Sequence, residues 1–250
     1  MKSNNFRLLL INTIMVGFMV KVKEKIVVER NELNTPIAVL SGDIIRSTDL
    51  SDEMYEDLLY TLHNQLALIR TSDPNNKFEI SRGDAFQIFV KDAKNAATYA
   101  LLIRTSLRSR NSRYDCRISV AIGNNEGMVF RNSLGSSTGN IFTLSGRNLD
   151  SMKPATLKIT TPIKSFNENF ELLTKYLDNQ MSGLTERQSE IVYEILKNIT
   201  LNNKNITQKE IAETLEVNRV SVNRSINSAN LNLITEYVEF FSKKITEYFI

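Results

Sequence analysis

Cysteine and histidine are almost missing from this chain. Its 250 residues include one of each, Cys116 and His63. A single cysteine excludes an intramolecular disulfide and any cysteine cluster for zinc. A single histidine leaves a Ser–His or metal–His mechanism with nothing else to rest on. Tryptophan is absent and there are only four prolines. Neither sign of charge dominates: 31 Lys and Arg against 28 Asp and Glu give +3. The molecule is not a polycation, so nucleic-acid binding would need a local patch. At 42% hydrophobic and 24% charged residues the composition is that of an ordinary soluble domain and argues against disorder. The length suits one large domain or two small ones. Low cysteine usage fits a reducing cytoplasm.

Long apolar runs are also lacking. The nearest is LLLINTIMVGFMV, residues 8–20, after Lys2 and Arg7. It resembles a signal-peptide core, yet is shorter than the ~20 residues of a membrane-spanning helix. KVKEK follows it, with no small-residue cleavage pattern. It reads as the product of an early start codon, with Met19 as the alternative start, or as an extra helix or strand. Residues 1–35 are set apart as an N-terminal extension, and no membrane partner is expected.

What is present has an order. TPIAVLSGD is a short apolar run bounded by Pro and Gly, a buried strand. Leu58, Leu62, Leu66 and Ile69 then recur at helical spacing, and SDPNN at 72–76 ends that helix. KFEIS and AFQIFV flank RGD as a hairpin. A second helix carries Ala96, Tyr99, Ile103 and Leu107 on one side. CRISVAIG alternates, with Cys116, Ile118, Val120 and Ile122 one way and Arg117, Ser119 and Ala121 the other. Cys116 reads as a small core residue and His63 as a helix-surface residue. Strand, helix, strand, strand, helix, strand is the ferredoxin-like or palm βαββαβ unit: an α/β (α+β) fold with helices on one face of an antiparallel sheet. Residues 123–139, rich in Gly, Asn and Ser, read as a mobile loop. A short helix over GNIFTLSGRNLDSMK and a strand over ATLKIT follow, and past Pro162 the pattern is wholly helical. This divides the chain into a palm domain at 36–162, a helical linker at 163–182 and a helical domain at 183–250.

Two Gly-Asp pairs stand out, in SGDIIRS and SRGDAF. In a βαββαβ sheet the first and third strands are antiparallel neighbours. Asp43 at the end of one and Asp84 at the start of the other would share an edge. Two adjacent carboxylates repel unless a cation or proton joins them. Mg²⁺ suits such a pair, completed by phosphate oxygens, and two metals could serve phosphoryl or nucleotidyl transfer. The alternative is that both pairs are simply turns.

The order of motifs resembles the catalytic domain of class III nucleotidyl cyclases. That resemblance implies metal binding (Mg²⁺ or Mn²⁺) by Asp43 and Asp84. It also implies that the segment Ile44, Ile45, Arg46, Ser47 wraps a triphosphate, its amides suited to anions. In the helix FTLSGR, Arg147 stands where the family places its transition-state arginine and Thr143 where it places a ribose-orienting Asn. The purine-reading Lys position is Ile80, with Arg82 close by. Thus the metal half is kept while the base- and ribose-reading half departs. SGDIIRS, ISRGDAFQIF and SGRNLD together are also similar to the SatD family of bacterial proteins, over about residues 36–230. That family implies a cyclase-like fold without a defined activity.

The C-terminal region carries a third pattern. Thr185 with Gln188 forms a capping arrangement. Thr207 caps a helix with Ile211, Ala212 and Leu215; Glu216-Val217-Asn218 turns; Val220, Val222 and Ile226 follow. This resembles bacterial helix-turn-helix modules. Arg219, Ser221, Asn223, Arg224 and Asn227 form the polar face of the second helix, and Arg and Asn suit guanine and adenine edges. Residues 183–250 nevertheless hold eight Lys and Arg against nine Asp and Glu, which weakens attraction to phosphates. A protein-contact role for the module is the alternative. The last helix, strongly apolar on one side, packs or dimerises. Three functions stay open: a nucleotide-responsive regulator that binds DNA, an active nucleotidyl cyclase or nucleotidyltransferase, and a ligand-free palm fold. The first two imply a homodimer.

Overall fold

The computed structural model describes residues 35–81, 83–125 and 127–249. The apolar run at 8–20, Met19 and Arg82 lie outside the described residues. The elements in order are β1 (Ile37–Ile44), α1 (Asp52–Ser72), β2 (Lys77–Ile80), β3 (Ala85–Val90), α2 (Ala96–Arg110), β4 (Cys116–Gly123), α3 (Asn140–Ser151) and β5 (Leu157–Thr160). Five helices follow: α4 (Lys164–Ser182), α5 (Glu186–Asn202), α6 (Gln208–Thr214), α7 (Arg219–Ser228) and α8 (Asn232–Phe249). The sheet order is β2-β3-β1-β4-β5. All pairings are antiparallel except β4 with β5.

The unbroken apolar run of β1 has a direct cause: both faces of this central strand are covered. Ala38, Leu40 and Ile44 join the large core beneath α1 and α2. Ile37 and Val39 join a smaller one with Phe89, Ala121, Leu134, Ile141 and Phe142. The expectation of helices on one face therefore needs correction. A second face with apolar Ile37, Val39 and Ala121 must also be buried, and α3 does so. The segment 127–139 is tied down as well. Val129 pairs with Thr138, and Leu134 is buried in the smaller core.

The second helix is not one-sided. In α2 every residue from Ala96 to Leu107 is buried, because α5 packs on it from the side away from the sheet. Hence the sheet core and the C-terminal helices form one cluster, running from Ala38 to Ile245. A buried ionic group adds to the seam. Arg104, fully buried, donates from Nε and Nη2 to both oxygens of Asp115, each at 2.9 Å. Its Nη1 donates to Asp178 of α4 at 2.7 Å. Arg108 also reaches Asp115, at 3.2 Å, and donates to the carbonyls of Ser182 and Leu184. Removing a guanidinium from water is costly; two carboxylates and five donors in fork geometry offset that cost. Aromatic rings join α4 to α8: Phe166 and Phe170 stack at 4.3 Å, and Phe170 meets Phe241 edge-on at 5.9 Å. Among the described residues no helix is long and apolar enough to cross a membrane.

Candidate functional site

The register of β1 with β3 sets Asp43 opposite Ala85. Asp84 is the preceding residue, and its carbonyl accepts from the Ile44 amide at 3.1 Å. Asp43 and Asp84 thus reach one edge of the sheet. Their glycines do different work. Gly83 has φ 90, a hairpin-turn conformation that favours glycine. Gly42 lies within β1, and a Cβ there would come within 2.3 Å of Phe86 Cζ and 2.8 Å of the Arg117 carbonyl. The first Gly-Asp is therefore not a turn but a close approach of strand to ring.

Each carboxylate already has a partner. Arg117, directly opposite Asp43 on β4, donates from Nε to Asp43 Oδ1 at 2.8 Å and from Nη2 to Oδ2. Both groups are largely sheltered, with side chains 16% and 22% exposed. Ser47 Oγ donates to Asp84 Oδ2 at 2.5 Å. The other Asp84 oxygen accepts no hydrogen bond from a described residue. Mg²⁺ commonly takes one or two carboxylates, with the remaining ligands from phosphates and water. Asp84, with one oxygen open, could hold such a cation, whereas both oxygens of Asp43 are taken up by Arg117. Among the described residues no group of three or more His, Cys, Asp or Glu could hold a metal by itself.

Arg117 went unrecognised in the sequence as a site residue, although its signal was there. It shares a strand face with Ser119, the face that Asp43 and Ser41 occupy on β1. That face holds a chain of buried polar contacts. Gln87 Nε2 donates to Ser41 Oγ at 3.1 Å. Ser145 of α3 donates to Ser41 Oγ at 2.9 Å or the Ser119 carbonyl at 3.0 Å. Around them Gln87 Oε1, Arg117 Nη1, Ser119 Oγ and Asn148 Nδ2 are buried without a partner among the described residues. Buried polar atoms ordinarily find partners, so this face has unmet capacity for a polar ligand or water.

Other expected residues lie elsewhere. The Ile44 and Ile45 amides donate to the carbonyls of Asp84 and Asp115, so neither is open to an anion. Arg46 is exposed and left-handed at φ 53, at the start of a single 3₁₀ turn, Ser47–Asp49. Thr143 and Arg147 are exposed on α3. Each is two residues from buried Ser145, about 200° around the helix, so they face away from the sheet. Within one chain they do not meet Asp43. Cys116 is buried, and burial pushes its thiol pKa well up; it is a core residue. His63 is exposed, its ring edge-on to Phe78 at 5.8 Å.

A second region with exposed polar chemistry is α6–α7. Thr207 and Glu210 form a reciprocal capping box on α6. Glu216, at φ 50, makes the turn, and Asn218 caps α7. Val222 and Ile226 are buried. Arg219, Ser221, Asn223, Arg224 and Asn227 are all exposed. Val220, 62% exposed, lies among them.

No protein-family model and no curated protein matches the chain. Solved structures similar to it include the active GGEEF domain of a diguanylate cyclase from Vibrio cholerae. It is 13% identical, with a TM-score of 0.39 over 55% of this chain and 89% of that one. The GGDEF domain of DgcB from Caulobacter crescentus in complex with c-di-GMP is 15% identical, with a TM-score of 0.39 over 54% and 82%. A bacterial light-regulated adenylyl cyclase is 15% identical, with a TM-score of 0.38 over 50% of this chain and 43% of that one. By its own topology the chain is an α/β protein with a five-stranded sheet.

Proposed function

We propose that the chain is a SatD-like bacterial regulatory protein, cytoplasmic and homodimeric. Its sheet edge at Asp43 and Asp84 binds a nucleotide together with Mg²⁺ or Mn²⁺, and its α6–α7 unit binds DNA. The observation that supports the first part is the β1–β3 register, which brings the backbones of Asp43 and Asp84 to one end of the sheet, with Arg117 on Asp43 and Ser47 on Asp84. A bound divalent cation would neutralise the phosphates and tie them to Asp84. Arg117 supplies a positive charge of its own at Asp43, and exposed Arg46 offers another to a phosphate. Exposed Arg219 and Arg224, with the Asn residues between and after them, support the second part.

Catalysis is the less favoured reading. Thr143 and Arg147 turn away from Asp43 in their own chain, so a cyclase or nucleotidyltransferase would need them from a second copy.

The test uses full-length protein, nucleoside triphosphates and Mn²⁺. Metal-dependent nucleotide binding is measured by calorimetry, and products are sought by mass spectrometry. Asp84→Ala is expected to abolish binding. Arg117→Met, which releases Asp43, is expected to strengthen Mn²⁺ binding about tenfold. A product that disappears in Asp43→Ala and Asp84→Ala would establish the enzyme instead. Nucleotide binding indifferent to both substitutions would remove the metal site and leave the ligand-free fold.

A further inference from the structure

Two adjoining cavities open where the start of α2 meets the end of α5 and the middle of α8. They measure about 540 and 500 Å³ and share Lys94, Asn95, Thr98, Asn203 and Ser242 among their walls. That size is typical of small-molecule sites. Three ammonium groups from three separate elements line the larger one: Lys94 just before α2, Lys204 after α5, and Lys243 on α8. Lys94 lies 3.4 Å from Asp92. Lys243 is 3.9 Å from Glu247, which Lys244 holds at 2.5 Å. Lys204 forms no ion pair with a described residue. Glu239 is the acidic residue of the larger cavity, while Asp73 and Asp92 line the adjoining one, so the positive excess belongs to the larger cavity alone.

Two hydroxyls point to what that excess is for. Thr98 lines both cavities, is only 7% exposed, and makes no side-chain hydrogen bond among the described residues. Thr200 lines the second cavity, and its Oγ1 is wholly buried and unpartnered. Buried hydroxyls without partners are costly and therefore few in native proteins. Thr200 Oγ1 is one of these, and it shares a wall with Thr98, Lys94 and Asn203. Hydroxyl, amide and ammonium donors converging on one space match a ligand rich in anionic oxygens.

We propose that this junction binds a phosphorylated small molecule, at a site separate from the Asp43–Asp84 edge. The walls join the sheet half, through Lys94 and Thr98, to the loop that leads into Thr207, the cap of α6. A ligand held there sets the approach to the α6–α7 pair. That consequence rests on the DNA-binding reading; the site itself does not.

Inorganic pyrophosphate, titrated without divalent metal into the full-length protein, is the probe. Calorimetry should show saturable, salt-sensitive binding. Lys204→Ala and Lys243→Ala, both at exposed positions, should each weaken it about tenfold, and Asp84→Ala should leave it unchanged. Thr98→Val, close in shape, should weaken it without lowering the melting temperature. Absence of saturable binding would overturn the proposal. So would equal binding by the Lys204→Ala/Lys243→Ala double variant, or loss of binding in Asp84→Ala, which would assign the anion to the sheet edge.

Discussion

At the scale of single residues, Gly42 is the most constrained position near the site. The Phe86 ring and the Arg117 carbonyl occupy the space of its missing Cβ. Phe86 is itself buried and has no room to retreat. Gly42→Ala is therefore expected to cost about 1–3 kcal/mol, as overpacking does, read as a lower urea midpoint with the same slope. Gly83→Asn should cost far less, because its turn has no neighbour within 4 Å of a Cβ and Asn tolerates positive φ. In the sequence the two Gly-Asp pairs looked alike. Their difference depends on Phe86, which pairs with Gly42 only once β3 lies beside β1. That the backbones of Asp43 and Asp84 come to one end of the sheet was legible because strand order alone dictates it. The hold of Arg117 on Asp43 was half legible: alternation gave its face but not its partner.

Among elements, α7 carries the sharpest test. Its inner positions, Val222 and Ile226, pack inward, while its polar face stands free. If that face reads DNA, Arg224→Ala should lower affinity by about 1–3 kcal/mol where the arginine contacts a base. Where it contacts a phosphate, the variant should instead reduce the salt slope by about one. Electrophoretic shift at several salt concentrations separates the two. A wild-type protein that shifts no DNA at low salt would leave the unit as a protein-contact module. This helix pair was legible because capping, turn and apolar spacing are all local. The all-round burial of α2 was not, since α5, which covers its outer side, begins at Glu186, 76 residues after the end of α2. Burial of an element by a distant one leaves no local trace. The exposed face of α3, with Thr143 and Arg147, follows from helical periodicity once Ser145 is known to point inward.

For the whole molecule, one core and one buried ionic group make the two halves depend on each other. Arg104→Met leaves Asp178 and Asp115 short of their cation and should cost about 3–5 kcal/mol. Signals from the sheet and from the C-terminal helices should then fall together in one transition. Acid should act through the same group. Burial alone would raise the Asp115 pKa, but the charge and hydrogen bonds of Arg104 outweigh it, and the pKa is lowered. A carboxylate with a depressed folded pKa contributes stability above its unfolded value, and that contribution is lost as pH falls below it. The loss is thus expected below the ordinary aspartate value of 3.8. Asp115→Asn, though less stable at neutral pH, should show a shallower acid limb in a series of urea midpoints against pH. None of this was legible in LLIRTSLRSR, where Arg104 looks like a surface charge. The same cluster also bears on biosynthesis. Asp178 follows Arg104 by 74 residues, so the nascent sheet half emerges from the ribosome with one of its anchors not yet made. Until α4 arrives Arg104 lacks Asp178, and until α5 follows it the apolar outer side of α2 stays uncovered. A stalled or shortened translation product ending before α4 is therefore expected to be prey for chaperones and proteases rather than a free-standing palm.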